Sequence, residues 1–282
     1  IIIAIGGITA AIFVKLDNTL SPEMAAGLLT GGLTSTPGFS AAKEVPNINQ
    51  DAISAGYGIA YLYGVLGVVL FVQLVPKILK VDMAKERESF VAANSVVIPE
   101  PKAKLTQLEE FGFFPFFLAV AFGCIIGAIE IPKINFSLGN SGGTLVAGLI
   151  IGHFGRIGKL DCRISKQTLN FMRELGLVLF LIGAGVPGGV NFVSNVKFSY
   201  FIYGAVMTTV PMVVGYIIAH YVFKLSLFNN LGSITGGMTS TPALGSLIAT
   251  AGTDEVSSAY AATYPLALVS VVLTAKIIVM IL

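Results

Sequence analysis

Seven apolar runs punctuate this chain, at residues 1–16, 53–76, 112–131, 138–153, 175–193, 198–223 and 257–282. Several are long enough to cross about 30 Å of hydrocarbon at about 1.5 Å per residue. Charged residues make up only 11% of the sequence, against about 25% in soluble domains. A water-facing shell needs more polar surface than that, whereas a lipid-facing one does not. The chain therefore reads as an all-α polytopic membrane protein whose first partner is the lipid bilayer.

Other classes fall away on the same grounds. Net charge is +2, and no basic patch alternates with aromatics, so nothing points to nucleic acid. Cys124 lies in an apolar run and Cys162 in a basic loop, which does not make a disulfide framework. No His, Cys or Asp cluster has metal-ligand spacing, and no nucleophile stands at a plausible spacing from a base. Neither metal, cofactor nor enzymatic chemistry is expected. The opening Ile1-Ile2-Ile3 has no Met and no charged region. It reads as a helix entered part-way, so the chain is expected to begin inside a longer protein.

Twelve charged residues fall between 77 and 110, together with Pro99 and Pro101. This stretch reads as a hydrophilic linker between two membrane blocks, or as the place where sequence has been dropped. Short loops rich in Lys and Arg lie in the cytoplasm. On that rule Arg156, Lys159, Arg163, Lys166 and Arg173 mark an inside loop. The linker also lies inside, and the loops near 131–137 and 191–197, with Lys133 and Lys197, lie outside.

An internal repeat organises the whole. Gly31-Gly32-Leu33-Thr34-Ser35-Thr36-Pro37-Gly38 recurs as Gly236-Gly237-Met238-Thr239-Ser240-Thr241-Pro242-Ala243, with six of eight positions identical at an offset of 205 (239 minus 34). Ser21 and Ser226 align upstream, and Tyr57 and Tyr61 echo Tyr260 and Tyr264 downstream. A duplication is the natural reading. It divides the chain into residues 1–80, the end of a first membrane repeat, the linker 81–110, and residues 111–282, a second repeat.

Residues 21–45 and 226–249 are apolar but interrupted midway by Gly-Gly-x-Thr-Ser-Thr-Pro. Two glycines cost a helix interior about 1 kcal/mol each and a proline about 3, so two half-helices replace one continuous helix. The first is expected to end on its glycines as a C-terminal cap. The second is expected to begin with a Ser/Thr cap and proline. Each element then reads as a re-entrant hairpin or a broken span, tolerated at membrane depth only beside protein or a watery cavity. The second half-helix presents free amides and hydroxyls, which form an anion pocket. Paired interrupted segments mark a transporter's substrate site.

If the hairpins do not cross, a full copy has five crossings and the copies are inverted; if they cross fully, the copies are parallel. No Lys or Arg between Lys224 and Lys276 decides the matter. The preferred reading is two inverted repeats, each of about five transmembrane helices plus a re-entrant helical hairpin, with the first repeat truncated.

The motif pair resembles the bacterial aspartate:alanine exchanger family, whose signature is a Gly-x-Thr/Ser-x-x-Pro-Ala-Leu type element in each half. It stands here as Gly237-Met238-Thr239-Ser240-Thr241-Pro242-Ala243-Leu244, while the first copy departs with Gly38-Phe39. Tyr264-Pro265, the Gly142-Gly143, Gly148 and Gly152 span, and the helix from Leu175 to Leu181 also look like the family. The resemblance implies exchange of small carboxylates, such as acidic amino acids or dicarboxylates, across the bacterial inner membrane. It also implies two cytoplasmic regulatory domains between the halves, where residues 81–110 stand here. A homodimer is expected by analogy alone.

The candidate substrate residues are Gly32, Thr34, Ser35, Thr36 and Pro37 with Gly237, Thr239, Ser240, Thr241 and Pro242. Their hydroxyls either touch substrate or only cap helices. Tyr57, Tyr260 and Tyr264 line the site or serve as interfacial aromatics. Arg156 neutralises a carboxylate or anchors a cytoplasmic loop. Asp254 couples a proton or cation, or complements a helix N-terminus. Two rival functions stay open: a channel or uniporter-like pore formed by the half-helices, and a membrane sensor with a missing cytoplasmic output domain.

Overall fold

Polar caps decide where the apolar runs become helices. The computed structural model describes residues 1–94, 105–131, 136–190 and 197–282. Twelve α-helices lie among them: α1 (Ile2–Leu16), α2 (Pro22–Gly32), α3 (Thr36–Lys43), α4 (Gln50–Ile78), α5 (Met83–Asn94), α6 (Phe113–Gly127), α7 (Gly139–Phe154), α8 (Lys166–Val190), α9 (Phe198–Tyr221), α10 (Leu227–Gly237), α11 (Thr241–Ala251) and α12 (Ser257–Ile281). Two short antiparallel pairs join them, β1 (Glu130–Ile131) with β2 (Phe136–Ser137), and β3 (Arg156–Ile157) with β4 (Leu160–Asp161). The chain divides into two units, Ile1–Val97 with Gly188–Leu282, and Ile98–Pro187.

In the first unit, two helical hairpins each precede a long span. Ser21 starts α2 by accepting from the Met24 N–H at 3.2 Å, and Ser226 starts α10 by accepting from the Asn229 N–H at 3.4 Å. These side-chain caps satisfy amides that have no partner inside the helix. The first helix of each hairpin packs on the span that follows it, α2 on α4 and α10 on α12. The second helix of each packs on the span of the other copy, α3 on α12 and α11 on α4. The hairpins are thus interleaved with both spans. α2 is buried continuously from Met24 to Gly32.

Three helical segments among the described residues are long and apolar enough to cross a membrane: Gln50–Ile78, Phe198–Tyr221 and Asp254–Ile281. On α4, Leu62, Leu66, Leu70 and Leu74 recur every fourth residue and are 45–69% exposed. That spacing puts them on one helix face, and such an apolar row suits lipid rather than water. The polar stretch after α4 holds α5, a helix where a linker is expected from the sequence.

The second unit is built on α6 and α7. A Cβ on Gly123 would meet the Thr144 backbone, one on Gly127 the Gly139 carbonyl, and one on Gly143 the Gly123 carbonyl. Small residues let these two backbones touch, the usual means of packing helices where lipid surrounds them.

Candidate functional site

The two hairpin turns are built alike. α2 passes through Leu33 into a left-handed Thr34, and α10 passes through Met238 into a left-handed Thr239, each with φ 53°. The N–H groups of Thr34 and Ser35 donate to the Gly31 and Thr30 carbonyls at 2.9 and 2.8 Å. Those of Thr239 and Ser240 donate to the Gly236 and Thr235 carbonyls, each at 3.0 Å. This is a Schellman closure, in which glycine usually takes the left-handed place. Here threonine takes it, so the expectation that the glycines form the cap is corrected. The glycines are needed three residues earlier. A Cβ on Gly31 would strike the Tyr57 carbonyl, and one on Gly236 the Tyr260 carbonyl.

A β-branched residue in left-handed geometry is strained, at a cost of about 1–3 kcal/mol. The threonine hydroxyls supply the compensation. Thr34 Oγ1 donates to the Met238 carbonyl at 3.3 Å, and Thr239 Oγ1 donates to the Leu33 carbonyl at 2.7 Å. Leu33 and Met238 occupy the same place in the two copies, as do Thr34 and Thr239. The two tips therefore meet in a reciprocal pair of bonds. Both threonines are buried, at 9% and 5% exposure.

The helices that leave the tips differ in one respect. Ser35 is fully buried and accepts the Gly38 N–H at 3.2 Å, capping α3. Ser240 is equally buried and precedes α11, but makes no cap bond, and its Oγ has no partner among the described residues. A buried hydroxyl left unpaired costs about 1–3 kcal/mol. It stands at the N-terminus of an 11-residue helix, where partial positive charge gathers. Pro37 and Pro242 sit in the first turns of α3 and α11, where proline costs no hydrogen bond. Thr36 is half-buried, and Thr241 Oγ1 lies 3.4 Å from the Tyr260 hydroxyl.

The repeated tyrosines stack in equivalent pairs, Tyr57 on Tyr61 at 5.1 Å and Tyr260 on Tyr264 at 4.8 Å between ring centroids. Tyr57 is buried and also meets the Phe39 ring at 4.6 Å. Tyr260 approaches the second tip through Thr241, while Asp254 lies exposed in a 3-10 turn ahead of α12. Arg156 is exposed on β3 in the second unit.

Three further polar features do not stand out in the sequence motifs. Thr208 on α9 donates to the Gly32 carbonyl at 3.2 Å, tying α9 to the end of α2. Asn230 on α10 is fully buried and donates to the Tyr216 carbonyl at 3.2 Å. Lys276 on α12 is 4% exposed and pairs with Glu44, just beyond α3, at 3.7 Å. A signal for this pair is legible, because Lys276 is the one charged residue of the run 257–282 and an ionisable group within a span marks function. A cavity of about 570 Å³ lies between α1, α9, α10 and α12, bounded by Ile2, Gly215, Ser233, Gly237, Thr263 and Ser270 among others. Its lining is mainly apolar, unlike a carboxylate site. Among the described residues no group of three His, Cys, Asp or Glu converges to hold a metal.

Comparison with known proteins agrees with a membrane role. A family described as a predicted permease membrane region matches residues 1–77 and 115–280. An uncharacterised transporter of Bacteroides thetaiotaomicron is 35% identical over 178 residues, which is 61% of this chain and 34% of that protein. Another, of Desulfotalea psychrophila, is 34% identical over 177 residues, 61% of this chain and 33% of that protein. The chain spans about a third of the length of these curated relatives. No solved structure matches it.

Proposed function

This chain belongs to the permease membrane-region family, and on that premise we propose that it is part of a secondary transporter that exchanges small carboxylates by alternating access. The substrate carboxylate sits where the two hairpin tips meet, near the middle of the membrane. The observation that carries this reading is Ser240: a buried hydroxyl without a protein partner among the described residues, at the start of a helix that has no side-chain cap. Such a position favours an anion.

Under this reading the hairpins are re-entrant and the repeats inverted. The reciprocal bonds between Thr34, Met238, Thr239 and Leu33 support a two-fold relation between the copies. The ends of the spans support inversion. The second hairpin joins the start of α12, while Glu44, at the base of the first, meets Lys276. Lys276 lies 19 residues beyond Ser257 (276 minus 257), about 28 Å along a helix at about 1.5 Å per residue. On α4 the counterpart is Gln73, which donates to Ser246 Oγ on α11 at 2.9 Å, while the first hairpin joins the start of α4. Each hairpin therefore enters from the end that the other does not use. Movement of the hairpins against the spans would then expose the tips to one side at a time.

The resemblance to the aspartate:alanine exchangers supplies the substrate class, acidic amino acids or dicarboxylates, and the bacterial inner membrane. The test is uptake of labelled aspartate into proteoliposomes of the full-length protein, preloaded with alanine, aspartate, succinate or buffer. Exchange predicts uptake that needs an internal substrate and is lost in Ser240→Ala. Uptake without preload would overturn exchange in favour of a uniporter or channel. Binding without any flux would favour a sensor.

A further inference from the structure

The second hairpin is held at its base by a helix that is not part of the permease match. The family correspondence stops at residue 77 and resumes at 115, and α5 lies in the gap. Met83, Glu86, Arg87 and Phe90 follow the spacing that puts side chains on one face of a helix. That face meets both ends of the hairpin. Glu86 Oε1 accepts the Leu227 N–H at 3.2 Å, at the start of α10. Arg87 Nε donates to the Ala251 carbonyl at 2.6 Å, at the end of α11. Phe90 is buried edge-on against Phe228 at 5.5 Å between centroids, in a cluster with Leu231, Leu247 and Val256.

The charges match the helix ends they meet, a carboxylate on an N-terminus and a guanidinium on a C-terminus. The first hairpin is held differently. Its base meets Lys276, a residue of the span α12. Among the described residues, the grip from the polar stretch falls on the second hairpin. The grip is also weakly anchored. α5 is 12 residues long, short enough that its helicity depends on packing. Ala84, Lys85, Glu88 and Ser89 face outward exposed. Elements with few buried contacts release first.

We propose that α5 is a latch that holds the second hairpin closed at its base, and that whatever displaces α5 frees this hairpin without freeing the first. Its effect on transport rests on the second hairpin carrying substrate; the latch itself does not.

Reporter cysteines in the full-length protein, with every native cysteine, Cys124 and Cys162 among them, replaced by serine, would test this. Ser240→Cys reports the second tip, Ser35→Cys the first, and a water-soluble maleimide in lipid nanodiscs reads both. Adding Arg87→Ala with Glu86→Ala is expected to speed labelling at the second tip at least about tenfold, and at the first, which only loses the cover of its neighbour, much less. Arg87→Lys, which keeps a cationic donor for the Ala251 carbonyl, is expected to label slowly. Should the double variant fail to fold, Phe90→Ala alone gives the same comparison. Equal acceleration at both tips, or acceleration at neither, would overturn the latch. Separately, with the native serines restored, Arg87→Ala with Glu86→Ala is expected to raise aspartate counterflow several-fold. Absence of flux in every variant would count against the transport reading alone, because labelling reads the latch directly.

Discussion

Thr34 and Thr239 each combine an unfavourable backbone with a favourable side-chain bond, and substitutions can separate the two. Valine keeps the branched Cβ at φ 53° but loses the hydroxyl that reaches the opposite tip. Thr239→Val is therefore expected to lower stability by about 1–3 kcal/mol, read as thermal unfolding in detergent. Thr239→Gly relieves the backbone strain and is expected to lose less. An equal loss in both would mean that the strain is not there. The two serines make a second contrast. Ser35→Ala removes a cap bond and is expected to cost about 1 kcal/mol. Ser240→Ala removes no protein–protein bond among the described residues and relieves an unpaired buried hydroxyl; stability is expected to rise, by up to about 1–3 kcal/mol, while counterflow falls at least about tenfold, or about 1.4 kcal/mol. A stability loss in Ser240→Ala equal to that in Ser35→Ala would make it an ordinary cap.

Among the helices, the contact that matters most runs between each first half-helix and the span after it. Gly31 and Gly236 bring α2 against α4 and α10 against α12, with the Tyr57 and Tyr260 carbonyls where a Cβ would stand. Helix backbones cannot give way cheaply, so Gly31→Ala and Gly236→Ala are expected to destabilise the protein strongly, despite alanine's better helix propensity. Gly58 on α4 faces open space, with nothing within 4 Å of the place its Cβ would take. Gly58→Ala is therefore expected to be neutral or to stabilise by up to about 1 kcal/mol. Size-exclusion profiles and unfolding temperatures of the three variants check this order.

Across the whole first unit, Glu44 and Lys276 join the base of one hairpin to the far end of the span that follows the other. Removing one partner of a fully buried ion pair leaves a charge uncompensated and costs about 3–5 kcal/mol, whereas replacing both often costs little; with the Glu44 side chain 26% exposed, the cost here falls below that range. Lys276→Met alone is expected to destabilise, and Glu44→Gln with Lys276→Met to recover most of the loss. Additive losses in that double-mutant cycle would show that the two residues act independently.

Periodicity and repetition carry far in this sequence, because they depend only on neighbours along the chain. Three of the seven apolar runs locate helices long enough to cross a membrane among the described residues, and the doubled Gly-Gly-x-Thr-Ser-Thr-Pro locates two breaks, since glycine and proline act on the local backbone wherever they stand. The candidate residues at the tips are legible for the same reason. Their division of labour is not. Which carbonyl each tip threonine reaches and which helix grips the second hairpin depend on groups far along the chain, 206 residues in the bond from Thr239 to Leu33 and 141 in the bond from Leu227 to Glu86. Glu86 and Arg87 read in sequence as two charges in a polar linker. Only tertiary packing sets them on opposite ends of one hairpin, because it brings the start of α10 and the end of α11 to the same face of α5.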